Sequence, residues 1–88
     1  MNTNKTVAAE IRQAAIQWAE SGRKSFKGEA DMLDAYRKDA ADLKALAKLV
    51  SEGSLLAARN HASHLDTIVR DEIPESFFKL LEDSNIEW

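Results

Sequence analysis

Between residues 33 and 69 the apolar side chains recur at intervals that a helix gathers onto one side. Leu33, Tyr36, Ala40, Leu43, Ala47 and Val50 follow one another at steps of 3, 4, 3, 4 and 3. After Glu52-Gly53-Ser54 the rhythm resumes with Leu55, Ala58, Ala62, Leu65 and Val69. Each set forms one stripe along a helix. Gly53 suits a helix C′ position and Ser54 suits an N-cap. The spacing therefore predicts two helices folded back on each other as an antiparallel hairpin. Ala40, Ala47, Ala58 and Ala62 allow the two axes to approach closely.

The remaining elements follow the same logic. Val7, Ile11, Ala14 or Ala15, and Trp18 predict a first helix over about 5–21. Gly22 is expected to end it, since glycine takes a positive φ without a Cβ clash. The second helix is expected over about 29–52 and the third over about 55–72. Pro74 disfavours helical backbone at the residue before it, and it fits the first turn of a short fourth helix over about 74–83. No strand pattern interrupts this series. The fold class expected is all-α: a single domain over residues 1–88, built as a small helical bundle of three main helices and a short fourth.

Composition sets limits on that bundle. Fourteen residues are Ala, against 20 that are Leu, Ile, Val or Phe. A short chain buries only about 60% of its unfolded surface, and alanine contributes little area to it. Help from self-association as a dimer, or from another protein, is the expected remedy. With no cysteine, disulfide and thiolate chemistry are excluded. No stretch is long and apolar enough to span a bilayer, and no apolar run follows Met1-Asn2-Thr3-Asn4-Lys5, so the cytoplasm is the expected compartment.

The net charge of −3 is unevenly distributed. Residues 1–28 carry an excess of three positive charges, and residues 29–88 an excess of six negative ones. The positive part includes the connector Arg23-Lys24-Ser25-Phe26-Lys27, which lacks the Gly-Lys-Ser/Thr ending of a phosphate-binding loop. In the negative part, residues 71–88 hold six acids and the single cation Lys79.

Little in the chain points to chemistry. His61 and His64 share a helix face with Asp66 nearby, but a metal would need further ligands, so no metal and no cofactor are expected. Ser54, Ser63, His61, His64 and Asp66 supply the residue types of nucleophilic catalysis without a cavity to work in, and no enzymatic activity is expected. A helix-turn-helix reading of the hairpin fails on its candidate reading helix, which opens with Leu55-Leu56-Ala57-Ala58 and offers few base-reading groups.

The aromatic and acidic residues near the end of the sequence are more telling. Phe77 and Phe78 are neighbours, so a helix directs them about 100° apart. One can enter the core while the other meets a partner. Aromatics set among acids make good interface anchors. Residues 71–81, which include Pro74, resemble the Pro-containing junction between helices in small anti-sigma factors of the general stress response, and also the C-terminal end of Hha-type nucleoid modulators. The likeness implies a regulator that docks on another protein and assigns no functional residue. The expected function is a non-enzymatic regulator or inhibitor that binds a partner protein with a basic, nucleic-acid-handling surface. The expected contacts are Asp34, Asp42, Glu75, Phe78, Glu82, Asp83 and Trp88. The alternative is a nucleic-acid-associated modulator working through Arg23, Lys24 and Lys27.

Overall fold

The computed structural model describes residues 3–88. Five helices follow in order: α1 (Thr3–Ser25), α2 (Ala30–Ser51), α3 (Leu55–Ser63), α4 (Thr67–Arg70) and α5 (Glu75–Asp83). No strand occurs among the described residues. The all-α bundle is as the spacing predicts, and the molecule is elongated, measuring 43 × 25 × 18 Å.

The dominant pair is α1 with α2, lying side by side over most of their length. Both present apolar residues at alternating steps of three and four, the pattern that keeps a seam facing a partner helix. Val7, Ala8, Ile11 and Ala15 on α1 meet Leu43, Leu46, Ala47 and Val50 on α2, and all are buried. Ala58 and Ala62 of α3 are also fully buried, as are Ala40 and Ala47 or nearly so. The alanines therefore face inward as expected.

The hairpin between α2 and α3 closes as its glycine predicts. Gly53 has φ +80°. Its N–H donates to Val50 O, and the Ser54 N–H donates to Leu49 O, each at 3.0 Å. These two bonds form the Schellman arrangement that satisfies the last carbonyls of a helix. Ser54 stands at the N-cap of α3, but its hydroxyl makes no capping bond. Further along, the His61 Nε2–H donates to Asp42 O at 2.9 Å and ties α3 back onto α2.

Three expected boundaries are corrected. The first helix does not stop at Gly22; it continues to Ser25. Gly22 is buried inside it because the Tyr36 ring of α2 occupies the space where a side chain would stand. The turn comes later, where the Glu29 N–H donates to Phe26 O at 3.0 Å and Gly28 takes φ +87°.

The third helix does not run to residue 72 but breaks at 64–66. In an unbroken helix Asn60 O would accept from the His64 N–H. Instead it accepts from Ser63 Oγ at 2.8 Å and from His64 Nδ1 at 2.6 Å. The His64 N–H turns to His61 O, three residues back, at 3.2 Å. Side chains that take over a helix carbonyl in this way compete with the helix itself. Asp66 then adopts an extended backbone, φ −59° and ψ 147°, before the single turn of α4. Leu65 and Val69 still reach the core across the break.

The fourth expected helix is α5, one residue shorter at its start. Pro74 precedes the helix as its N-cap, at φ −59° and ψ 144°. Phe77, Leu80 and Leu81 bury one face of α5, and the Ser76 hydroxyl donates to the Glu10 carboxylate of α1.

Candidate docking groove

The segment after α5 is built into the fold by its own hydrogen bonds. Asn85 has φ +59°, a conformation Asn tolerates better than most residues. The Ile86 N–H donates to Leu81 O at 2.9 Å, and the Asn85 N–H donates to Glu82 O at 3.0 Å. This is a second Schellman ending, and Ile86 packs against the core beneath it. Arg59 of α3 then clamps the backbone of the last two residues. Its Nε donates to Glu87 O at 3.1 Å and its Nη2 to Trp88 O at 2.6 Å.

This clamp sets Trp88 against Phe78. Their rings meet edge to face, with centroids 5.0 Å apart at 88°. Phe78 in turn meets Phe77 edge to face at 5.4 Å. Phe77 is fully buried and Phe78 half-buried, while Trp88 remains 46% exposed. An indole held in place yet open to solvent is already fixed in a binding conformation, so less entropy is lost on association.

Three adjoining depressions surround this aromatic pair, and Phe78 lines all of them. Their rim carries Asp71, Glu75, Glu82, Asp83 and Glu87. Arg70 and Lys79 are the cations that line them. Arg70 Nη2 donates to Thr67 Oγ1 at 3.1 Å, while its buried Nε has no hydrogen-bond partner. The result is an open, aromatic-floored groove under a negative field.

Of the residues singled out in the sequence, Glu75, Phe78, Glu82, Asp83 and Trp88 come together here. Asp34 and Asp42 line none of these depressions. Asp34 pairs with Arg37 at 3.6 Å on the exposed side of α2. Arg23, Lys24 and Lys27 gather around one separate depression with Glu20, at the turn joining α1 to α2. Arg59 and Arg70 were not foreseen. Arg59 acts on residues 28 and 29 positions away, and no local pattern signals a contact at that range.

His61 and His64 each engage a backbone carbonyl through one ring nitrogen. Among the described residues no group of His, Asp and Glu is arranged to hold a metal. Among the described residues no helix is long and apolar enough to cross a membrane.

A second acidic group lies where α2 faces the break after α3. The Asp39 carboxyl is held above its ordinary value of 3.8, chiefly by burial. The Trp18 indole draws it back down, Asp66 and Asp42 push it up, and Lys38 opposes them. The Trp18 Nε1–H is buried and close enough to act on Asp39 electrostatically, although no acceptor meets it in hydrogen-bond geometry. A raised carboxyl holds its proton more tightly in the folded state than in the unfolded one. Its contribution is favourable below the unfolded value of 3.8 and is lost as pH climbs through the higher folded value. Asp39→Asn is therefore expected to melt above the native protein at pH 7. The gap should close as pH falls below 3.8, which paired thermal melts across that range will check.

Comparison with known proteins finds no matching family, no matching curated relative and no matching solved structure.

Proposed function

We propose that this protein is a non-enzymatic regulator or inhibitor that docks the Phe78–Trp88 groove on the basic surface of a partner protein. The observation carrying this reading is the held but exposed indole of Trp88 within a ring of carboxylates. Trp88 and Phe78 supply the apolar anchor. Glu75, Glu82 and Asp83 steer a positively charged surface toward it and set its orientation. A partner that handles nucleic acid carries such a surface, and occupying it would block access by occlusion alone.

The test compares the native protein with Trp88→Ala and Glu82→Lys as immobilised baits in a lysate of the native host. A captured protein with a basic surface should bind the native bait. Loss of an aromatic anchor typically costs about 2 kcal/mol, or about thirtyfold in affinity. Trp88→Ala is expected to lose capture on that scale, and Glu82→Lys to weaken it more at low salt than at high salt. Circular dichroism of both variants should match the native protein. Undiminished capture by Trp88→Ala would refute the groove as the docking surface.

A further inference from the structure

The basic connector has no part in the function proposed above, yet it is the sharpest positive feature of the molecule. Arg23 and Lys24 project from the last turn of α1, and Lys27 lies in the turn that follows. All three are exposed and line one shallow depression. Their place is the end of the long α1–α2 pair where the two helices join.

This end cannot reach the acidic groove of its own chain. The Ser76–Glu10 bond fixes α5 against α1 at residue 10. Arg23 lies 13 residues further along the same helix, which is about 20 Å at the helical rise. Both ends of that interval belong to one continuous helix, so no hinge can bring them together. The two patches can meet only between molecules.

We propose that the basic tip of one copy, Arg23, Lys24 and Lys27, docks into the acid-rimmed Phe78–Trp88 groove of a second copy. The charges are complementary: three cations and the one carboxylate of Glu20 at the tip face five carboxylates and two cations around the groove. The aliphatic stems of the lysines and the half-buried Phe26 beside them meet the apolar floor, and the cations lie over the open face of Trp88. The contact is head to tail: the copy whose groove is filled keeps its own tip, and the copy whose tip is docked keeps its own groove, so further copies can add. A tip of this size buries less than the roughly 1,200 Å² of a standard interface. Association is therefore weak, reversible and salt-sensitive. It rests on the same reading of the groove as a site for basic groups, and a basic partner displaces the second copy.

Charge reversal tests this with the full chain. One variant carries Arg23→Glu, Lys24→Glu and Lys27→Glu; the other carries Glu75→Lys, Glu82→Lys and Asp83→Lys. All six positions are exposed, so both variants should give native circular dichroism. In sedimentation at low salt, the mean mass of the native protein should climb past twice 9.8 kDa as concentration rises. In 0.5 M salt its association constant should fall at least tenfold, because the screening length drops to about 4 Å. Each variant alone has like charges on tip and groove and should stay monomeric. An equimolar mixture of the two should associate again, through one charge-reversed pairing and one native pairing of unaltered tip with unaltered groove.

A native protein that is monomeric at every concentration overturns the inference. So does a salt-insensitive closed dimer, or a mixture that fails to associate. A tip reversal that leaves self-association intact but abolishes the shift of a labelled nucleic-acid duplex overturns it too, and assigns the tip to nucleic acid. The functional reading fails separately, when groove reversal leaves partner capture unchanged.

Discussion

Phe77→Ala is expected to destabilise the protein by about 3–5 kcal/mol, the usual cost of emptying a fully buried phenylalanine site. Phe77 is 0% exposed and the bulkiest of the fully buried side chains. It joins α5 to a core otherwise rich in alanine. Small domains have only about 5–15 kcal/mol of stability in total. The variant should therefore lose its cooperative melt or show it at least about 12 °C lower, taking about 4 °C per kcal/mol for a domain of this size. Phe78→Ala, one position along, should behave differently. Phe78 is half-buried and gives up two edge-to-face contacts. Each such contact is worth about 1 kcal/mol at most on average, and much of the ring was never removed from water. Urea unfolding of the two variants provides the comparison. Equal losses would mean that Phe78 is as much a core residue as Phe77, and the groove would lose its floor.

That pair shows how far sequence could go. Adjacent phenylalanines on a helix must point in different directions, so one inward and one outward ring was legible. Which ring turned inward depended on how α5 docks on α1, and that contact joins residues far apart in sequence. The same division runs through the fold. Gly53 announced its turn because a positive φ is a local property of one residue. The inward alanines were legible because helical periodicity is also local.

The break after Ser63 was hidden by that same periodicity. Leu65 and Val69 keep the expected spacing and are buried, although the backbone between them is no longer one helix. What interrupts it is the capture of Asn60 O by two side chains, and Ser and His in a helical pattern do not disclose that choice. The groove was partly legible for a related reason. Its acids and rings lie close together in residues 71–88, so composition alone drew attention to them. The clamp that orients Trp88 comes from Arg59 on another helix, and only the tertiary fold reveals it.

Gly22 presents the opposite case, a local rule overridden by packing. Glycine inside a helix is worse than alanine by about 1 kcal/mol. On propensity alone Gly22→Ala should stabilise α1. The structure predicts the reverse. A Cβ at Gly22 would stand 2.4 Å from Tyr36 Cγ and 2.7 Å from Tyr36 Cβ. Turning the ring cannot relieve the second contact, because the Tyr36 Cβ is fixed to the α2 backbone. The two helices would have to separate at this point. Their separation would also disturb the stack of Tyr36 on Trp18, at 4.8 Å and 23°, and the contact of Tyr36 with Phe26 at 5.5 Å. Overpacking of this kind costs about 1–3 kcal/mol, which outweighs the gain in propensity at all but its lower limit. Gly22→Ala is thus expected to lower the melting temperature and alter the near-ultraviolet dichroism of the aromatic stack. In a Tyr36→Gly background the ring and its Cβ are both gone, and the same substitution should raise stability by up to about 1 kcal/mol. The change of sign is the test, since two independent sites would give the same effect in both backgrounds. Stabilisation by Gly22→Ala in the native background would mean that α1 and α2 do not approach as closely here as the contact of Gly22 with Tyr36 requires.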